Sequence, residues 1–374
     1  MKTFAGLVLA AALAAGVAQP ATARPVTDCP LRDAPFSVDS PLVDIMLSPA
    51  AKAVLEKAAP GRFSKLPPRF AGTTPPTFAA ILSLREGSAM TGIKAEALPA
   101  IDAELRALPV TAADKVARCA RYDNEVPRFD LPKGKPHLLL FEKINGFKDT
   151  PSVDAARAAL TAMAERKGWA LVVTDKGGAF NPATLRQFDA VIWNNISGDV
   201  LTLSQRRAFQ TWIEQGGAYV GLHGSAGDFI YFWDWYADRL LGARFIGHPM
   251  APQFQDARVV VQAPDHPAAR GLPREWTMND EWYSFRTNPR AIGATVIATL
   301  DETSYKPVGM MNQNLRMGDD HPIAWTNCVG KGRMFYSAIG HRPETYAEPH
   351  NVVLLEAAID WAAVSGKRAC PARR

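Results

Sequence analysis

The chain is poor in cysteine, and its four cysteines, Cys29, Cys119, Cys328 and Cys370, form no Cys-x-x-Cys pair. This spacing argues against a metal-binding cysteine pair. None of the four follows an apolar strand, where a nucleophilic thiol would stand. The seven histidines include no His-x-x-x-His pair, so no short-spaced histidine pair points to a metal either. The first predicted strand runs into "EKINGFKD" (Glu142–Asp149) rather than G-x-G-x-x-G, so nothing supports a nicotinamide dinucleotide. The formal net charge of +5 is mild and spread along the chain. Without a basic stripe carrying aromatic platforms, no nucleic-acid partner is expected. No internal repeat of fixed period occurs.

Only one long apolar run is present, and it lies at the start. Lys2 precedes "FAGLVLAAALAAGVA", and Ala21-Thr22-Ala23 supplies a small-x-small cleavage pattern, so residues 1–23 read as a secretory leader. The run is shorter than the roughly 20 apolar residues of a membrane span. A periplasmic or secreted mature protein is therefore expected, with no membrane association once the leader is cut. In an oxidising compartment an even set of cysteines reads as disulfides, with three pairings open. Pairing by halves, Cys29 with Cys119 and Cys328 with Cys370, is the favoured choice, and buried free thiols are the alternative.

With 47% hydrophobic and 21% charged residues the chain can bury a substantial core. Residues 24–123 read as an irregular helical segment broken by "PGRFSKLPPRFAGTTPP", whose prolines cannot lie inside helices. Residues 124–136, punctuated by Pro127, Pro132 and Pro136, read as a linker. Residues 137–365 then alternate strands and helices, with 366–374 as a tail. Strand "HLLLFEK" precedes a helix with Thr150 as N-cap and Pro151 at its first position, burying Val153, Ala156, Leu160 and Met163 and ending at Gly168. "ALVVTDK", "AVIWNN" and "AYVGL" are further strands, and "LSQRRAFQTWIEQGG" is a helix with Phe209, Trp212 and Ile213 inward. Such alternation indicates an α/β fold with a doubly wound parallel sheet. Beyond residue 255 the chain is richer in strands, namely "ARVVVQ", "ATVIATLD", "IAWTN" and "RMFYSAIG", before a closing helix "HNVVLLEAAIDWAA".

In an open parallel sheet, ligands bind at the carboxyl ends of the strands. This rule selects Asn145 and Gly146, Asn194 to Gly198, His223 to Ser225, and Gly340 with His341. Glycines around His223, in "GGAYVGLHGSAGD", permit a tight turn.

The segments "GGAYVGLHGSAGD", "WYADRLLGARFIGHP", "DHPAARGLP", "DEWYSFRTNPR", "VIATLDETSY" and "DHPIAWTNCVGKGRMFYSAIGH" resemble, in order, the trehalose-utilization (ThuA-like) family. The resemblance covers roughly residues 136–364 and leaves the N-terminal segment outside it. It implies a flavodoxin-like fold similar to class I glutamine amidotransferases, and a role with trehalose or related sugars through keto-sugar intermediates. Amidotransferases carry a cysteine in a G-x-C-x-G elbow, with His and Glu later as H-P-E. Here the elbow holds His223, and His341-Arg342-Pro343-Glu344 follows the last strand. Cysteine-based glutaminase chemistry is thereby excluded.

His223 and His341 are the candidate proton carriers, because a neutral imidazole both accepts and donates near neutrality. In "NDEWYSF" (Asn279–Phe285) strand alternation puts Glu281 and Tyr283 on one face and Asp280 and Trp282 on the other. Glu281 is the candidate partner acid, with Tyr283 beside it. Adjacent Asp280 and Glu281 do not converge as a glycosidase pair. Three His-Pro dipeptides bring in His248, His266 and Asp320-His321; of these His266 reads as a surface turn. His248, Asp320, His321, Asn194, Ser225, Trp233 and Glu344 complete the candidates for binding substrate. A divalent metal on His223, His248 and His341 fits imidazole chemistry, but no short-spaced pair supports it. The expected function is that of an exported carbohydrate-active protein acting on a disaccharide or keto-sugar derivative by His/carboxylate acid-base chemistry, as a keto-glycoside hydrolase or lyase or a sugar isomerase, with a small carbohydrate as its partner. The alternative is a non-catalytic periplasmic sugar-binding or scaffold protein of the same fold.

Overall fold

The computed structural model of the protein describes residues 25–364 and Cys370. The expected leader, residues 1–23, and the expected tail other than Cys370 lie outside the described residues. The strands are β1 (His137–Phe141), β2 (Ala170–Thr174), β3 (Ala190–Asn194), β4 (Ala218–Leu222), β5 (Phe245–Gly247), β6 (Phe254–Val261), β7 (Glu275–Glu281), β8 (Ser284–Phe285), β9 (Thr295–Asp301), β10 (His321–Val329) and β11 (Gly332–Ser337). Nine of them form one sheet in the order β2-β1-β3-β4-β11-β10-β9-β6-β7, and β5 pairs with β8 in a small second sheet.

The doubly wound arrangement holds for the first five strands of that order, which pair in parallel. β3 and β4 are buried along their whole length, as strands covered on both faces must be. Helix Thr150–Lys167 carries the chain from β1 to β2 and turns Val153, Ala156, Leu160 and Met163 inward; Gly168, at φ 70°, caps its end. Its N-cap is Asp149 rather than the expected Thr150, and the Asp149 side chain makes no capping bond. Helix Leu203–Glu214 carries the chain from β3 to β4 with Phe209 and Ile213 fully buried.

The other four strands are antiparallel to their neighbours, so the sheet is mixed. The reason is local. Only Gly330 and Lys331 separate β10 from β11, and a turn that short reverses the chain, whereas a parallel connection needs a crossover of a dozen residues or more. Although β7 is last in the strand order, Asp280 near its carboxyl end accepts hydrogen bonds from the backbone after β11. The antiparallel half therefore curls until its edge returns to the centre of the molecule.

The N-terminal segment has its own small core, built on Phe36, Leu42, Ile45, Leu55 and Leu105. Cys29 is bonded to Cys119, and buried Arg118 donates to the carbonyls of Leu31, Arg32 and Ala34. Asp28 in turn caps helix Leu203–Glu214, accepting from Ser204 N–H at 3.0 Å. The second disulfide joins Cys328 of β10 to Cys370. Residues 123–136 lie against the sheet domain: Asp123 accepts from Gly177 N–H, and Phe129 packs edge-on against Phe188.

The loop after β3 is pinned by Asp228, which accepts from Ser197 Oγ at 2.5 Å and Gly198 N–H at 2.7 Å. Burial pushes the Asp228 carboxyl up to about 7 against these two bonds. Its folded value thus lies above the ordinary 3.8, so the stability it contributes is whole below that value and is lost as pH rises through about 7. Asp228→Asn keeps the shape without the charge. Between about pH 4 and about pH 7 the wild type should therefore lose stability relative to the variant, at up to about 1.4 kcal/mol per pH unit, read as a falling melting temperature that levels off above about pH 7. A constant gap across that range would contradict this.

Candidate functional site

His223 opens the turn after β4 with φ at +33°, a left-handed value that costs a residue with a side chain about 1–3 kcal/mol. The turn is held from below, where Tyr336 Oη donates to the His223 carbonyl at 2.7 Å. The strain aims the imidazole into the sheet's carboxyl end. Its Nδ1 lies 2.7 Å from the Ala338 carbonyl, which only accepts, so Nδ1 carries the hydrogen and Nε2 presents a lone pair. Burial, with His341 as neighbour, lowers His223 to about 3, so the ring is neutral.

His341 follows β11 on a loop gripped by Asp280, which accepts from Gly340 N–H at 2.6 Å and Arg342 N–H at 3.0 Å. Gly340 is required here: at φ 139° a Cβ would stand 2.3 Å from Tyr346 Oη. Burial raises Asp280 to about 7 despite these bonds. The hydroxyl of Ser152, from the start of helix Thr150–Lys167, lies between two acceptors, the carbonyl of His341 and Asp149 Oδ2. His341 Nδ1 is 3.1 Å from Glu281 Oε1 and 3.2 Å from His223 Nε2, while its Nε2 is 3.7 Å from Asp149 Oδ2. Burial works against charge on His341, but the bond to Glu281 and the Glu281, Asp149 and Asp280 charges outweigh it and raise the ring above its ordinary value.

Glu281, only 1% exposed, ends β7. Oε1 faces both histidines, at 3.1 Å from His341 and 3.7 Å from His223; Oε2 is 3.2 Å from His248 Nδ1 and accepts from Gln253 Nε2. Burial alone would raise it, yet the His341 bond and the charges of His248, His341 and His223 hold it down at about 2. Glu281 is therefore an anion at neutral pH and not the proton-donating acid that its residue type suggests. Tyr283, on the same face of the extended segment, packs its ring 4.2 Å from that of His223.

The structure thus brings His223, His341, Glu281, Tyr283 and His248 together. It places the other candidates elsewhere. Asn194 is fully buried, donating to Glu142 Oε1 and to the Val153 carbonyl. Ser225 donates to the Trp193 carbonyl and accepts from Ile196 N–H, which leaves its hydroxyl committed to the backbone. His321 is spent at both nitrogens, on Glu302 and on the Tyr283 carbonyl, so it positions Tyr283 rather than meeting a ligand. Asp320 pairs with Arg290 and accepts from Asn288. Trp233 stacks on Trp235 and Tyr236 and lines a cavity with Asp228 and Val200 instead of the histidines. Glu344 is exposed and paired with Arg342 at 3.3 Å; the carboxylate on His341 is Glu281, not this echo of the amidotransferase glutamate.

Sequence reasoning missed Asp149, Gln253, Phe147 and Phe254. Phe147 stacks alongside His341 at 6.2 Å and Phe254 lies 5.4 Å from it, both more than a third exposed, so two aromatic faces flank the ring at the mouth. Phe78, from the N-terminal segment, backs Phe147 at 5.1 Å. The atoms suited to a metal are His223 Nε2, His341 Nδ1 and a Glu281 oxygen, not the expected His223, His248 and His341. His248 Nδ1 lies 3.0 Å from its neighbour's carbonyl at Pro249 and backs the outer oxygen of Glu281.

A family profile described as trehalose utilisation (ThuA) matches residues 137–362, more than half of the chain. The chain belongs to the ThuA family. The whole cluster lies within the ThuA match, and the N-terminal segment lies outside it. The chain is similar to a ThuA-like protein of Bacteroides uniformis at TM-score 0.53 and 24% identity, over 63% of this chain and 96% of that one. It is also similar to a ThuA-like protein of Parabacteroides merdae at TM-score 0.46 and 16% identity, over 62% and 91%. The first likeness supports the α/β fold. No curated protein matches. ThuA membership gives the chain a carbohydrate-related role, and its two disulfides fit an exported protein. Among the described residues no helix is long and apolar enough to cross a membrane.

Proposed function

We propose that the protein is an exported enzyme acting on a disaccharide or its keto derivative by proton transfer, without a thiol nucleophile. The observation that carries this reading is the convergence of His223, Glu281 and His341 from three strand ends beside a carboxylate at the mouth, Asp149. Export is supported by the leader-like N-terminus and the paired cysteines.

Roles follow from which atoms are free. His223 offers only an inward Nε2, and Glu281 is buried and anionic, so neither reaches a substrate carbon from the mouth. Asp149, about a quarter exposed, is the base through Oδ1, since its Oδ2 accepts from Ser152 Oγ and faces His341 Nε2. On a 3-keto-glycoside it takes the proton from C2, between the carbonyl and the anomeric carbon. The electron pair left behind forms an enolate whose charge rests on the carbonyl oxygen, and that charge is met by His341, the member of the cluster whose protonated form its surroundings favour. Re-forming the carbonyl moves the pair into a C1–C2 double bond and breaks the C1–O bond. Asp149 then returns its proton to the leaving oxygen, and water adding across the double bond completes a net hydrolysis. Phe147 and Phe254 provide apolar faces for the C–H side of a sugar ring.

The test is turnover of the mature protein on trehalose, sucrose and their 3-keto derivatives. Consumption of a keto-sugar by the wild type and its loss in Asp149→Asn is the expected result. If no sugar is consumed, yet one still raises the melting temperature of both proteins, a sugar-binding role replaces the enzyme.

A further inference from the structure

We infer that His223 Nε2, His341 Nδ1 and Glu281 Oε1 form a binding site for one divalent first-row transition-metal ion, with zinc the best match to the ligand set. The three atoms stand 3.2 Å (His223 to His341), 3.1 Å (His341 to Glu281) and 3.7 Å (His223 to Glu281) apart. Ligands at about 2.1 Å from a tetrahedral zinc are separated by about 3.4 Å, so the triangle is already the size of one face of the coordination shell. Two imidazoles and one carboxylate on a single face, with further positions open, is the pattern of catalytic rather than structural sites.

Proton accounting points the same way. His223 Nδ1 must carry its ring's hydrogen to reach the Ala338 carbonyl, so Nε2 is a lone pair. Glu281 Oε1 is a second acceptor, and His341 Nδ1 sits between the two. Without an ion, a single N–H of His341 has to serve both acceptors; a cation satisfies all three atoms at once. Each ligand also has a partner that fixes its orientation: Ala338 carbonyl on His223, Asp149 behind His341 Nε2, and Gln253 with His248 on the outer oxygen of Glu281. Outer partners of this kind accompany metal-bound imidazoles and carboxylates and raise their basicity. The strained backbone at His223 is a further sign that the ring's position is imposed.

The metal site rests on reading this cluster as the reactive centre, and it gives the cluster a chemical role, in which a bound divalent ion polarises a sugar carbonyl or hydroxyl oxygen while Asp149 moves the proton. The experiment uses tag-free, full mature protein, stripped with chelator and titrated calorimetrically with zinc, cobalt and manganese chlorides, with metal content also measured on protein as purified. Expected is one ion per chain, a melting temperature raised by zinc and lowered by chelator, and a cobalt visible spectrum of low-coordinate type. Glu281→Gln and His341→Gln, each checked for fold by circular dichroism, should lose affinity by more than the roughly 10–100-fold that removal of an outer partner such as Gln253 costs. Asp320→Asn, outside the cluster, should bind as the wild type does. Absence of calorimetric binding by folded wild type for all three ions overturns the inference, as does unchanged affinity in both ligand variants. Turnover that survives complete metal removal would leave the enzyme reading standing without the ion, and metal binding without turnover on any sugar would do the reverse.

Discussion

Glu281→Gln is expected to lower kcat/KM on the protein's sugar substrate by about 10³-fold, the scale of losing a buried electrostatic group at a reacting centre. The substitution preserves volume and removes one charge. It also replaces one carboxylate oxygen with a donor. In the native chain both oxygens face nitrogens: Oε1 meets His341 and His223, and Oε2 meets Gln253 and His248. A glutamine can offer an acceptor to one side only, so its amide hydrogens must oppose either Gln253 Nε2 or the hydrogen on His341 Nδ1. The loss falls mainly on kcat, because Glu281 sustains the positive charge on His341 that meets the charge developing during reaction, and KM should move little. Folding should survive, since removing a buried charge offsets much of the lost hydrogen bonding, each such bond being worth about 1.5–3 kcal/mol. Turnover within tenfold of the wild type, in a folded variant, would show that the cluster is structural.

Replacing Cys29 and Cys119 together by serine is expected to cost about 4 kcal/mol. Their disulfide closes a sequence separation of 90 residues, and a loop of that length removes about 4–5 kcal/mol of unfolded-state entropy in the chain-closure picture. The bond also fixes geometry that reaches the mouth. Asp28, next to Cys29, caps helix Leu203–Glu214, and Thr77 N–H from the same N-terminal segment donates to the Asn145 carbonyl at 3.0 Å. Phe78 follows Thr77 and backs Phe147 beside His341. The double variant should therefore bind sugar less tightly as well as melt earlier. Cys328–Cys370 spans only 42 residues, so its removal should cost less and leave sugar binding intact. Thermal melts and KM for both double variants check this. A loss below about 1 kcal/mol for the first pair would contradict it.

The parts of the site that were legible in the sequence share one property: each follows from local rules. His223 and His341 stand after strands and beside glycines, and strand alternation put Glu281 and Tyr283 on a common face. Where reasoning by residue type went astray, the deciding contact was distant in the chain. Asn194, Ser225 and His321 look like ligand-binding polar residues, but each is buried and committed to a backbone carbonyl. Glu344 matched a motif by spacing, yet the carboxylate that meets His341 arrives from β7, well before His341 in the chain. Asp149 was hidden at a helix start, where an acidic residue reads as an ordinary cap; in the fold its carboxylate makes no capping bond but accepts from Ser152 Oγ and faces His341. The mixed sheet has the same cause. The short turn at Gly330 was visible, but nothing in the periodicity of β6 and β7 says that the sheet's edge curls back to the loop after β11.

Whether the cluster and Asp149 together move a proton at a sugar carbon can be read from deuterium incorporation out of heavy water into a 3-keto-disaccharide, followed by nuclear magnetic resonance. Expected is enzyme-dependent loss of the C2 proton signal, abolished in Asp149→Asn and in Glu281→Gln while both remain folded. Consumption of the sugar with no exchange at C2, or exchange at the wild-type rate in both variants, would contradict it.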